Sequence, residues 1–112
     1  MTDLLLVLTT ADSERLAMRI ASGLVERRLA ACVNIVKSVR SIYRWKDRVH
    51  DDEEFVLLIK TLRPAYEDVR RTIHELHTYE LPDIIALPIE QGDPRVIEWV
   101  NGSVQLPERP TS

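Results

Sequence analysis

The chain alternates between two hydrophobic periodicities, one typical of strands and the other of helices. Residues 4–8 are all apolar and predict a first strand that is apolar on both faces. From Ser13 the apolar positions recur at helical spacing and predict a first helix that ends near Arg28 or Leu29. Residues 9–12 carry hydroxyl and carboxylate groups suited to capping that helix.

A long hairpin is predicted for the middle of the chain. Residues 31–45 are rich in β-branched and aromatic side chains and lack proline and glycine. Their hydrophobic parity changes near Lys37 and Ser38, which predicts one long, bent strand. Residues 46–48 predict a turn, and residues 55–59 predict a second strand that is apolar on both faces.

The second half of the chain predicts a helix, a strand and a short terminal helix. Pro64 stands where a helix can begin, and an apolar stripe predicts that helix over residues 65–77. Residues 84–87 predict a fourth strand, and residues 92–94 precede a short amphipathic helix. We therefore expect a single domain over residues 1–104 and a flexible tail over residues 105–112.

The element order βαββαβ with a terminal helix predicts an α+β, ferredoxin-like fold. Right-handed crossovers give a four-stranded sheet with two helices on one face. The first, third and fourth strands are nevertheless apolar at both odd and even positions, which is typical of strands buried on both sides. We therefore expect neighbouring subunits to cover the second face in a closed homo-oligomer, with the long hairpin as a contact arm.

Composition narrows the choice of partner and compartment. Fifteen basic residues against eighteen acidic ones give a net charge of −3, which disfavours a nucleic-acid partner. The first apolar run is too short for a signal peptide or a membrane span, so we expect no membrane association. The single cysteine, Cys32, cannot form an intrachain disulfide and favours a reducing, cytoplasmic location.

Three features could contact a metal ion, and each also has a purely structural interpretation. Cys32 offers a soft sulfur suited to copper or zinc, but small buried cysteines are common. His74 and His77 are three residues apart on the second predicted helix, with Glu75 or Glu80 as further ligands, although a position near the end of the helix favours an exposed, structural histidine at His74. Residues 50–54 form an acidic run that could attract a divalent cation, but alternate side chains of a strand point to opposite faces, which favours a solvated flank of the hairpin.

A second group of residues predicts a ligand cleft between subunits. Lys60 and Glu80, with Tyr79, could meet Tyr43 or Trp45 of a neighbouring hairpin and hold an anion or another small ligand. The alternative is an interface salt bridge beside packed aromatic rings. The sequence contains no recognisable set of catalytic or phosphate-binding motifs, so we expect a protein that is not an enzyme and requires no cofactor.

Several segments together resemble the CutA divalent-cation tolerance family over about residues 4–103. The most specific are Ala-Ala-Cys-Val-Asn at residues 30–34 and His-Thr-Tyr-Glu-Leu-Pro at residues 77–82. Further matching segments lie at residues 9–10, 41–45, 60–61, 87–89 and 99. The chain departs from the family pattern at residues 46–48, where a glycine is usual, at Thr78, where a proline is usual, and at Val96, where a tyrosine is common.

The resemblance implies a ferredoxin-like protomer in a homotrimer whose architecture is similar to that of PII-like proteins. It also implies a role in divalent metal tolerance, with binding of copper or another divalent cation through Cys32, His77 and a nearby carboxylate such as Glu80. The alternative is a PII-like signalling or assembly module that binds a small anionic ligand in its intersubunit clefts. In that case Lys60, Tyr79 and Glu80 would matter more than Cys32.

Overall fold

The computed structural model of the chain describes residues 2–106 and shows the predicted ferredoxin-like arrangement. The sheet order is β2-β3-β1-β4, and each pair of neighbouring strands is antiparallel. The elements are β1 (Leu4–Ala11), α1 (Glu14–Glu26), β2 (Cys32–Trp45), β3 (Arg48–Leu62), α2 (Tyr66–Leu76), β4 (Ile85–Pro88) and α3 (Pro94–Ser103).

Helix α1 begins at a sequence signal that satisfies one of its first backbone N–H groups. The Oγ of Ser13 accepts a hydrogen bond from the backbone N–H of Leu16 at 3.1 Å and caps α1. Thr9 and Thr10, which we expected to contribute to this cap, lie instead in β1, where they pair with β3. The first strand is therefore longer than expected. Thr9 and Thr10 are polar, but they pair with the apolar Leu57 and Val56 of β3 and so continue the strand.

The β2–β3 hairpin is the longest feature of the fold, with strands of 14 and 15 residues. The predicted bend is a β-bulge between Val36 and Val39, where Ser38 adopts a positive φ of 59°. The predicted turn is formed by Lys46 and Asp47, with φ angles of 49° and 63°. Positive φ at both central residues is the geometry of the tight hairpin turn that matches the twist of the strands, and here it is adopted without glycine.

The main core lies between the sheet and the two helices α1 and α2. Alternate residues of β1 and β3 point into it, and Val7, Leu57 and Ile59 are fully buried there. The intervening residues point to the opposite face, which no helix of the described chain covers fully. We call this the open face; its apolar members are Leu6, Leu8, Val36, Val56, Leu58, Ile85 and Leu87.

A smaller core forms where α3 packs against the ends of β1 and β3. Val100 and Val104 bury against Leu4, Leu62 and Ala65. The chain then continues to Gln105, whose backbone N–H donates to the carbonyl of Arg28 at 2.8 Å. The rest of the expected flexible tail, residues 107–112, lies outside the described residues. None of the helices described for residues 2–106 is long and apolar enough to cross a membrane.

Candidate functional site: an acidic aromatic cleft

The bulge in β2 decides which side chains reach the open face of the hairpin. Before the bulge, Val33 and Ile35 pack against the main core. The extra residue in the bulge reverses this parity, so that Tyr43 and Trp45 share a face with Glu54 of β3. The change of parity that the sequence predicted therefore places aromatic rings beside a carboxylate.

These side chains form one wall of an open cleft of about 750 Å³, and the segment between α2 and β4 forms the other. We call it the aromatic cleft. Its lining includes three carboxylates and three large aromatic rings, and no lysine or arginine is among the described residues that line it. The lining residues are Thr10, Ser41, Ile42, Tyr43, Trp45, Glu54, Tyr79, Glu80, Leu81, Pro82, Asp83 and Ile84.

Glu54 is the buried acid of the aromatic cleft. It is only 6% exposed, and its Oε2 accepts a hydrogen bond of 2.7 Å from the hydroxyl of Tyr79. Burial and this neighbouring carboxylate raise the pKa of Tyr79 above its ordinary value of 10.0, so the phenol stays protonated and serves as a donor. A buried carboxylate is costly unless it is compensated, and this contact supplies part of that compensation.

His77 holds the segment between α2 and β4 against the sheet. Its Nε2 lies 2.6 Å from the carbonyl oxygen of Thr10, and its Nδ1 accepts the backbone N–H of Tyr79 at 3.1 Å. Since a carbonyl accepts and an N–H donates, the ring is the neutral tautomer with its proton on Nε2. His77 therefore positions Tyr79 over the sheet, and both of its nitrogens are engaged in doing so.

Tyr43 lies on the hairpin wall of the cleft. Its hydroxyl donates to Oδ2 of Asp52, and its ring stacks on that of His50 at a centroid distance of 5.1 Å. The hydrogen bond to Asp52 raises the pKa of Tyr43 to about 12, with smaller contributions from desolvation and neighbouring charge. Both tyrosines of the cleft thus have raised pKa values partly because carboxylates surround them.

Lys46 reaches the rim of the cleft from the hairpin turn. Its Nζ lies 3.2 Å from Oε2 of Glu80 and 5.6 Å from the centre of the Trp45 ring. This is the arrangement of a cation–π contact combined with an ion pair. The chain therefore already holds one ammonium group between a cleft carboxylate and a cleft indole.

The structure brings four of the five expected cleft residues together within one chain. Tyr43, Trp45, Tyr79 and Glu80 all line the aromatic cleft. Lys60 does not; its Nζ donates to Oδ1 of Asn34 at 3.3 Å, on the open face. The basic group that an anionic ligand would need is thus outside the cleft of a single chain, and the PII-like alternative stays a prediction.

The three expected metal ligands do not converge within one chain. Cys32 pairs with Lys60 on β3, whereas the Thr10 carbonyl that His77 contacts pairs with Val56. Four residues of strand separate these positions, about 13 Å at the usual rise. Glu80 is engaged by Lys46. Among the residues that the structure describes, no group of three His, Cys, Asp or Glu side chains is placed to hold a metal ion.

The remaining candidate metal ligands are His74 and the acidic run at residues 50–54. His74 is exposed on α2, apart from the contacts of His77. In the acidic run, His50, Asp52 and Glu54 share one face and Asp51 the other. The sequence indicated a solvated flank, and this interpretation was wrong for Glu54. Glu54 is buried where Tyr79, 25 residues away, contacts it, and no local pattern reports that contact.

Comparison with known protein families gives one consistent result. A sequence model described as CutA1 divalent ion tolerance protein matches residues 5–103. The "Divalent-cation tolerance protein CutA" of Thermus thermophilus is 47% identical over 94 residues, which cover 84% of this chain and 91% of that protein. The mouse "Protein CutA" is 40% identical over 92 residues, covering 82% of this chain. The chain spans 52% of that mouse relative's length.

Solved structures show the same fold. A divalent cation tolerance protein from Thermus thermophilus superposes with a TM-score of 0.89 at 43% identity, covering 91% of this chain and 99% of that one. The CutA structure from Xylella fastidiosa gives a TM-score of 0.90 at 33% identity, covering 93% of this chain and 100% of that one. Similarity thus extends through the hairpin, the cleft segment and α3.

Proposed function

The chain belongs to the CutA1 divalent ion tolerance protein family, and from this premise we propose that it acts in divalent-cation tolerance as a homotrimer without enzymatic activity. The observation that carries the proposal is the family match over residues 5–103. The relatives are named as tolerance proteins rather than as enzymes. We place the protein in the cytoplasm on the basis of its single cysteine, although named relatives include chloroplastic proteins.

The open face supports the proposed assembly. Ile85 and Leu87 of β4 are 51% and 48% exposed although they continue the apolar rows of β1 and β3. A contiguous apolar sheet face of this kind marks an interaction site in a water-soluble domain. Three copies related by a rotation axis would bury it with equivalent contacts in each subunit.

We propose Cys32 as the direct contact for copper or another divalent cation. Its side chain lies on the open face and is half-buried in one chain, so groups from other subunits would complete the ligand set. His77 is not proposed as a ligand, because the Thr10 carbonyl and the Tyr79 N–H already occupy its two nitrogens. The proposed role requires no permanently bound metal.

Light scattering and calorimetric titration of the reduced protein with copper, zinc and cobalt test this function. We expect the mass of a trimer and a whole-number binding ratio per trimer that is lost in Cys32→Ser. The matched control is His74→Ala, which removes an exposed histidine and should leave the binding ratio unchanged. A monomeric mass would contradict the assembly, and metal binding that survives Cys32→Ser would contradict the proposed contact.

A further inference from the structure

We propose that the aromatic cleft binds a small organic cation, such as a quaternary ammonium or an alkylammonium compound. This site is separate from the metal contact proposed at Cys32 and does not depend on the tolerance function. Three features of the molecule support the proposal: the charge of the cleft, the aromatic rings in its walls, and the contacts of Lys46 at its rim.

The charge of the cleft favours a positive occupant. Glu54, Glu80 and Asp83 line it, and no basic side chain lines it among the described residues. Glu54 is the decisive group, because at 6% exposure it has lost most of its hydration. Tyr79 satisfies one oxygen of this carboxylate and brings no positive charge. Lys46 pairs with Glu80 at the rim, but among the described residues Glu54 takes part in no ion pair, so a cation beside it would compensate its charge and an anion would add to it.

The walls of the cleft favour an organic cation over a metal ion. Tyr43, Trp45 and Tyr79 present aromatic rings, which attract alkylammonium groups by cation–π interaction and are poor metal ligands. The volume of about 750 Å³ suits a small organic molecule and is far larger than a metal ion needs. No group of three metal-ligating side chains is found in the part of the chain that the structure describes.

The contacts of Lys46 show how an aromatic ring and a carboxylate of this cleft bind an ammonium group. Its ammonium lies between the Trp45 ring and the Glu80 carboxylate. This pair is exposed, whereas Glu54 is buried and takes part in no ion pair within the part of the chain that the structure describes. A ligand cation would therefore repeat at Glu54 the contacts that Lys46 makes at Glu80.

Fluorescence of Trp45 provides the readout. The chain has two tryptophans, and Trp99 lies on α3, half-exposed and outside the cleft lining, so Trp99→Phe leaves a single reporter in the cleft wall. The probe is choline. Its comparison compound is the neutral analogue in which a tert-butyl group replaces the trimethylammonium group. The two compounds have nearly the same shape, so a difference in their binding reports the effect of the positive charge without any substitution of a charged cleft residue.

We expect choline to change the Trp45 emission saturably, with a dissociation constant below about 10 mM, and the neutral analogue to bind at least about ten-fold more weakly. Glu54→Gln keeps an oxygen for the Tyr79 hydroxyl and removes the charge, and should weaken choline binding by about ten-fold or more. The matched control is Glu53→Gln, the adjacent exposed residue on the opposite face of β3, which should bind choline as the parent does.

Each of the opposite results would overturn the proposal. These are the absence of a saturable signal, equal binding of choline and its neutral analogue, and unchanged choline binding in a folded Glu54→Gln variant. Zinc chloride and sodium phosphate serve as further probes. Saturation by zinc that requires Glu54 would reassign the cleft to a metal ion, and saturation by phosphate would reassign it to an anion. A cleft filled by a side chain of another copy would give no saturable choline signal, which also counts against the proposal.

Discussion

The two faces of the sheet have similar hydrophobic composition but very different surroundings. On the helix-covered face, Leu57 and Ile59 are fully buried against α1 and α2. On the open face, Ile85 and Leu87 of β4 remain about half exposed, beside the half-buried Leu58. A residue's neighbours, rather than its own hydrophobicity, thus decide whether it stabilises the protomer or an assembly. Substitutions on the open face should therefore change the subunit dissociation constant, whereas substitutions on the helix-covered face should change the free energy of unfolding.

The largest effect is expected from Leu58→Asp on the open face. In the proposed trimer it would bury one unpaired carboxylate per subunit, which costs several kcal/mol each. We expect the subunit dissociation constant to rise by about a thousand-fold or more, measured by light scattering over a dilution series.

The control for this substitution is Met18→Asp. Met18 is 51% exposed on α1, on the other side of the molecule, and the variant should keep the parent mass. If Leu58→Asp assembles as the parent does, the open face is not the subunit contact.

The next largest effect is expected from Leu57→Ala on the helix-covered face. Removing this fully buried side chain should lower the free energy of unfolding by about 2–5 kcal/mol, because it leaves a cavity against α1 and α2. Urea denaturation at a fixed protein concentration measures this change, and the native mass should not alter. Val49→Ala on the hairpin, where the side chain is 64% exposed, should cost less than about 0.5 kcal/mol. Equal effects of the two substitutions would contradict the assignment of the core.

A smaller effect on the free energy of unfolding is expected from removing the hydroxyl of Tyr79, and a still smaller one from removing that of Tyr43. Tyr79→Phe leaves the buried Glu54 carboxylate without its donor and should lower the free energy of unfolding by about 1–3 kcal/mol. Tyr43→Phe also removes a hydrogen bond, but its partner Asp52 is exposed and regains water, so the free energy of unfolding should fall clearly less than in Tyr79→Phe. Denaturation of both variants under the same conditions makes the comparison. A larger loss in Tyr43→Phe would show that Glu54 is not the costly group.

The smallest effect is a shift in the alkaline titration of Tyr43. Its folded pKa of about 12 exceeds the ordinary value of 10.0, chiefly because of the hydrogen bond to Asp52. The folded state therefore favours the protonated phenol. This contribution to stability is fully present below the ordinary pKa and is lost as the pH rises through the folded one.

Ultraviolet absorbance of phenolate tests the shift. Subtracting the titration of Tyr43→Phe from that of the parent should give a transition near pH 12 rather than near 10. Asp52→Asn supplies the control, since removing the carboxylate should move the difference transition back toward the ordinary value. A difference transition already at the ordinary value in the parent would contradict the hydrogen bond.

Much of the fold could be predicted from the sequence because its signals are local. Apolar spacing located α1 and α2, and the reversal of parity near Lys37 and Ser38 located the bulge. The boundary of β1 was less accurate, because Thr9 and Thr10 are compatible with both a cap and a strand. Their pairing with β3 decided between the two, and that pairing involves residues far along the chain.

The candidate site was only partly predictable. Resemblance and chemistry singled out Tyr43, Trp45, Tyr79 and Glu80, which line one cleft. Lys60 was grouped with them, but it lies outside the cleft because strand register places it beside Asn34. For the same reason the metal ligands expected from the sequence remain apart within one chain. Spacing along the sequence does not report which strand positions lie side by side.

The sequence by itself determined the order of the elements, the bent hairpin and the two apolar faces of the strands, because each depends on periodicity between near neighbours. Only the tertiary structure decided the character of the aromatic cleft. The contact of His77 with Thr10, 67 residues away, holds the segment between α2 and β4 against the sheet and places Tyr79 over Glu54. A carboxylate is solvated or buried according to what the fold places beside it, and a sequence pattern carries no information about that neighbour.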